Sequence, residues 1–124
     1  MYSLQLPSRT TPTPAQIENF DALNQRTRER MMPETPLEED LCNQVVIALW
    51  HYRTNHSRAS RLAEKCRKLE QSEPNSPRLD EMRPTIAAAH RQARRQKNFA
   101  WRRRGEFLTL RAARKEISES ENNA

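Results

Sequence analysis

Glycine is nearly missing from this chain: Gly105 is the only one in 124 residues. Sheets and tight hairpins lean on glycine for positive backbone angles, so its scarcity argues against a turn-rich β fold. It also excludes a glycine loop that cradles phosphates. Aromatic residues make up 6% and hydrophobic residues 35% of the chain, against roughly 45–50% apolar residues, counting glycine, in typical globular proteins. A large core is therefore not expected; an elongated or open helical arrangement, completed by a partner, is. Long apolar runs are absent too. The longest, Val45 to Trp50, falls far short of the roughly 18 residues of a membrane span. No basic region followed by an apolar run of secretory length opens the chain at Met1 to Pro7. A cytoplasmic protein with no membrane association is expected.

Two cysteines are present, Cys42 and Cys66. On one continuous helix they would stand about 36 Å apart, at roughly 1.5 Å per residue, too far to bridge. Both read as reduced, buried small hydrophobes. Neither has a neighbour at Cys-x-x-Cys spacing, and His51 and His56 are five apart, which does not set both squarely on one helix face. No metal site, cofactor or catalytic residue is expected, and the protein reads as a non-enzyme.

What is abundant is helix-forming. Ala, Arg, Glu, Gln and Leu dominate, and the eight prolines fall mainly between candidate helices. Thr13-Pro14-Ala15-Gln16 is a helix start, with a capping threonine, a proline at the first position and a glutamine that can close a capping box. Ile17, Phe20, Leu23, Thr27 and Met31 follow at helical spacing. The signal recurs at Thr35-Pro36-Leu37-Glu38, and Glu38, Glu39 and Asp40 suit the positive end of the helix dipole. From there a heptad frame runs through Leu41, Val45, Ala48, Tyr52, Asn55, Ala59, Leu62, Cys66 and Leu69. Val46, Leu49 and Trp50 widen its first half, the natural seat for the first helix. A third helix carries Ile86, Ala89, Ala93, Ala100, Phe107, Leu110 and Ile117, with gaps at Gln96 and Arg103. Gly105 inside it costs about 1 kcal/mol relative to alanine and permits a bend.

These signals predict an all-α fold. Helices over about 14–32, 36–72 and 85–118 would form a long antiparallel hairpin with the shorter N-terminal helix packed on it. Residues 13–118 would be one helical domain, with flexible segments at 1–12 and 119–124 and a turn over 72–84 that allows a short helical piece after Pro77.

Charge is distributed unevenly. The net is −3 over residues 1–50, +3 over 51–77, +9 over 78–115 and −3 over 116–124. The stretch His90 to Arg104 holds seven Arg or Lys and no acid. Phosphates reward such a surface because each one neutralised releases counterions. Arg91, Arg94, Arg95, Lys97, Arg102, Arg103 and Arg104 are the candidate phosphate contacts, and Trp101 a candidate stacking residue. Phe99 could also stack, and Gln92, Gln96 and Asn98 could reach base edges. The expected partner is RNA or DNA, within a larger nucleoprotein assembly. The alternatives are a helical adaptor or homodimer that meets an acidic protein surface, or a simply solvated face. Ser57 to Leu69 has the look of a leucine-zipper basic region, but no zipper follows it.

The segment Thr35-Pro36-Leu37-Glu38-Glu39-Asp40-Leu41, with Val45 to Trp50 and Arg53, resembles the middle of an uncharacterised family of short basic bacterial proteins. That family has a Pro-Leu-Glu-Glu helix start, an aliphatic run ending in Ala-x-Trp, and a later basic helix with an Arg-Tyr-Glu core. Here Ala100-Trp101-Arg102 stands near the corresponding place and departs from the pattern, and the Lys/Gly-rich leader is absent. The resemblance implies a helical fold and no established activity.

Overall fold

The computed structural model describes residues 4–122, and these form three helices with no strand among them: α1 (Pro14–Met31), α2 (Pro36–Ser72) and α3 (Pro77–Asn122). The first two match the sequence signals closely. Thr13 caps α1 in a full capping box: its Oγ1 accepts from the Gln16 N–H at 3.2 Å, and Gln16 Oε1 accepts from the Thr13 N–H at 2.9 Å. The helix ends one residue before the expected Met32. That residue adopts a left-handed conformation (φ 53°, ψ 60°) and donates its N–H to Arg28 O. α2 opens on Thr35, whose Oγ1 accepts from the Glu38 N–H at 3.2 Å.

The third helix corrects the expectation. It begins at Pro77 rather than Thr85, running straight through Pro84, and continues to Asn122 rather than ending at Ser118. The proline removes one backbone bond and crowds the preceding turn, at about 3 kcal/mol. Three features oppose that loss. Ser76 Oγ accepts from the Arg78 N–H at 3.3 Å, Leu79 is buried, and Arg83 pairs with Glu70 at 3.1 Å. Anchored this way, the helix tolerates Pro84. Residues 4–13 are not helical, and Leu4 and Leu6 there are half-buried; residues 119–122 continue α3. The rest of the two expected flexible segments lies outside the described residues.

Two compact units divide the chain. The first unites the residues up to Ala48 with those from Phe99 on. Its core holds Phe20, Leu23 and Met31 of α1, Leu41, Cys42, Val45, Val46 and Ala48 of α2, and Ala100 and Phe107 of α3. The second is Leu49–Asn98, with Trp50, Ala59, Cys66, Leu79, Ala89 and Ala93 buried. Its α2–α3 contacts include Arg83 with Glu70, His56 with His90, and Lys97 with Tyr52.

All nine heptad positions of α2 are buried or half-buried. On α3 the two apparent gaps are filled. Gln96 and Arg103, in line with buried Ala93, Ala100 and Phe107 along the helix, are half-buried. Ile117, expected in the seam, is 61% exposed. One turn before it, Arg114 pairs with Glu38 in the first turn of α2 and with Glu34 just ahead of that helix, and Ile117 lies beyond these contacts along the chain.

Both cysteines are free and buried. Burial pushes each thiol above its ordinary value of 9.0; the Glu39 charge adds to this at Cys42 against Arg28, and Glu70 does so at Cys66 against Arg83. Among the described residues no helix is long and apolar enough to cross a membrane.

Candidate nucleic-acid interface

The basic stretch lies wholly on α3, and helical spacing sorts its cations. Arg91, Arg95 and Arg102 stand four and seven residues apart, so they share one face, with Asn98 on the same side. In the second unit Arg91, Arg94, Arg95 and Lys97 are all exposed. Lys97 Nζ sits 5.9 Å from the centroid of the Tyr52 ring, which stacks on His56 at 5.8 Å. A shallow groove in this unit is lined by Asn55 and Arg58 of α2 and by Arg91 and Gln92 of α3, among others. Arg58 is a cation that the charge run on α3 did not reveal. The signal for it was the heptad phase of α2, which sets Arg58 next to the seam residue Ala59.

In the first unit Trp101, Arg102 and Arg104 are exposed. The Arg104 guanidinium lies 5.4 Å from the Trp101 centroid, a geometry that holds the ring by its quadrupole. Arg103 differs from its neighbours. It is half-buried, pairs with Glu106 at 2.6 Å, and lies 4.7 Å from the centroid of Phe99. Its Nε is buried without a hydrogen-bond partner.

Three cations of α3 outside the basic stretch are engaged in the fold. Arg83 pairs with Glu70, Arg111 donates to Met31 O at 2.6 Å, and Arg114 pairs with Glu34 and Glu38. By contrast, Arg91, Arg94, Arg95, Lys97, Arg102 and Arg104 pair with no carboxylate among the described residues. The structure thus separates cations that hold helices together from cations turned to solvent. Among the described residues no group of three or more His, Cys, Asp or Glu is arranged to hold a metal ion.

Comparison with protein-family models, curated proteins and solved structures gave no match to this chain.

Proposed function

We propose that this protein is a non-catalytic, nucleic-acid-associated helical protein of the cytoplasm, an accessory subunit of a larger nucleoprotein assembly. One observation carries the reading: six cations between Arg91 and Arg104 project to solvent with no carboxylate partner among the described residues. With no carboxylate beside them they stay attractive to phosphate, even where Lys97 lies over Tyr52 and Arg104 over Trp101, whereas Arg103, Arg111 and Arg114 are neutralised or bound within the fold. Arg91, Arg95 and Arg102 follow the backbone of the nucleic acid, Arg94, Lys97 and Arg104 flank them, and Arg103 lies over the Phe99 ring. Trp101, 57% exposed, is available to stack on an unpaired base.

The reading includes an antiparallel α2–α3 hairpin as the scaffold. It is supported by the contacts of the second unit: as the α2 partners fall from Glu70 through His56 to Tyr52, their α3 partners rise from Arg83 through His90 to Lys97.

The test is a titration of labelled single-stranded RNA and duplex DNA over a salt series. Affinity should fall with salt at a log–log slope of about −0.7 per phosphate contacted on a single strand, and about −0.9 on a duplex. Replacing Arg91, Arg95 and Arg102 together by Glu should abolish binding without lowering the melting temperature. No detectable binding at low salt would sink the proposal. The alternative, an acidic protein surface as partner, is favoured if nucleic acid fails to bind while an acidic protein co-purifies after nuclease treatment.

A further inference from the structure

α3 carries a second heptad stripe on the side it leaves open. Arg94, Asn98, Trp101, Gly105, Leu108, Ala112, Lys115 and Glu119 repeat in steps of four and three, and all eight are exposed. Four of them are apolar or lack a side chain, in the order large, small, large, small: Trp101, Gly105, Leu108, Ala112. The chain's only glycine sits in the middle of this stripe. It has an ordinary helical φ, and nothing lies within 4 Å of where its Cβ would be. No turn or internal contact accounts for it, although alanine there would favour the helix by about 1 kcal/mol.

We propose that this stripe docks a second copy of itself, as an antiparallel α3–α3 pair about a two-fold axis between Gly105 and Leu108. The pattern is self-complementary in that one register. Leu108 of each copy fills the space over Gly105 of the other, and Trp101 lies over Ala112, so every large side chain meets a small one. The polar ends match in the same register. Arg94 is level with Glu119 of the second copy, an opposite-charge pair, and Asn98 is level with Lys115. A parallel pairing would set Trp101 on Trp101 and Arg94 on Arg94, which the alternation and the charges both disfavour. Two-fold pairing through one self-complementary patch is the commonest form of oligomer.

The dimer does not rest on the nucleic-acid reading. Arg91, Arg95 and Arg102 flank the stripe, the two rows meeting at Asn98. In an antiparallel pair the same flank of each helix faces the same side, so the dimer presents both arginine rows together. Base stacking on Trp101 and phosphate contact by Arg94 both exclude this dimer, because neither side chain can serve twice.

The experiment is sedimentation equilibrium of the full chain, with Gly105→Leu as the decisive variant. The wild type should show a concentration-dependent monomer–dimer equilibrium. Gly105→Leu should be monomeric over the same range while melting no lower than the wild type, because leucine is the better helix former. Register is read by mixing Asn98→Cys and Lys115→Cys proteins under mild oxidation. The mixed disulfide should form far more readily than either homodisulfide, since identical positions stand about 25 Å apart along the axis in this register. A wild type that stays monomeric beyond about 1 mM, a Gly105→Leu variant that dimerises undiminished, or homodisulfides as abundant as the mixed one would each overturn the proposal.

Discussion

Arg114, near the end of α3, grips Glu38, in the first turn of α2, through two hydrogen bonds: Nε to Oε2 at 2.7 Å and Nη2 to Oε1 at 3.3 Å. The Glu38 side chain is fully buried. Its Oε1 also accepts the Glu34 N–H at 3.2 Å, and Arg111, one turn earlier on α3, caps the end of α1 through Met31 O. Two arginines of one helix thus pin the corner between the other two.

Glu38→Gln should destabilise the fold by about 2 kcal/mol. Removing one partner of a buried pair leaves the other charge uncompensated, which costs about 3–5 kcal/mol when both are buried. Arg114 is a third exposed and can rehydrate, so the lower figure applies. Denaturant melts of wild type and variant measure it.

The same pair should make stability fall on the acid side. Burial alone would raise the Glu38 pKa, but the Arg114 hydrogen bonds, the Glu34 N–H, the Arg114 charge and the Thr35 hydroxyl outweigh it and bring it below the ordinary 4.5. Because the folded value is depressed, the contribution is fully present above pH 4.5 and is lost as pH falls through the folded-state value. Melts of the wild type between pH 6 and 3 should show the decline, and Glu38→Gln should flatten it.

Much of this architecture could be read from the sequence, and the misreadings have physical causes. The Thr-Pro starts fixed two helix boundaries because capping is local chemistry. The α2 heptad frame was legible because its positions are apolar or small. Residue 84 misled because proline disfavours a helix interior, and the Ser76 cap, the burial of Leu79 and the non-local Arg83–Glu70 pair that oppose this cannot be read from local sequence. Gln96 and Arg103 read as gaps because a polar side chain hides a half-buried position from any hydropathy count. For the candidate interface, the charge run pointed to a single helix, and all of its cations lie on α3. It could not say that Arg103 turns to Glu106 while Arg102 faces water, since that depends on where the seam falls.

Pro84→Ala should stabilise the protein. The substitution restores the N–H that Asp80 O lacks and relieves the crowding, worth about 3 kcal/mol in a helix interior. Alanine also loosens the unfolded chain by up to about 1 kcal/mol. A net gain of about 2 kcal/mol should appear in denaturant melts, together with slower amide exchange between Pro77 and Ala88.

Met32→Gly should stabilise it as well. A non-glycine residue in the left-handed region costs about 1–2 kcal/mol, and Met32 is 61% exposed, so little packing is lost with its side chain. An increase of about 1 kcal/mol is expected, read as a rise of about 4 °C in Tm.

Arg102 and Arg103 are adjacent in sequence and should behave oppositely. Arg102 is exposed and pairs with no carboxylate among the described residues. Arg102→Gln should leave the melt unchanged and lower the salt slope of nucleic-acid binding by about 0.7–0.9, the share of one phosphate. Arg103 is held between Phe99 and Glu106. Arg103→Gln should lower stability by about 0.5–1 kcal/mol, the scale of one cation–π contact and one half-exposed ion pair, and leave the salt slope where it was. The two measurements on the two variants separate the cation that faces the solvent from the one that belongs to the fold. If Arg103→Gln lowered the slope as much as Arg102→Gln, the division of the basic stretch drawn from their burial would be wrong.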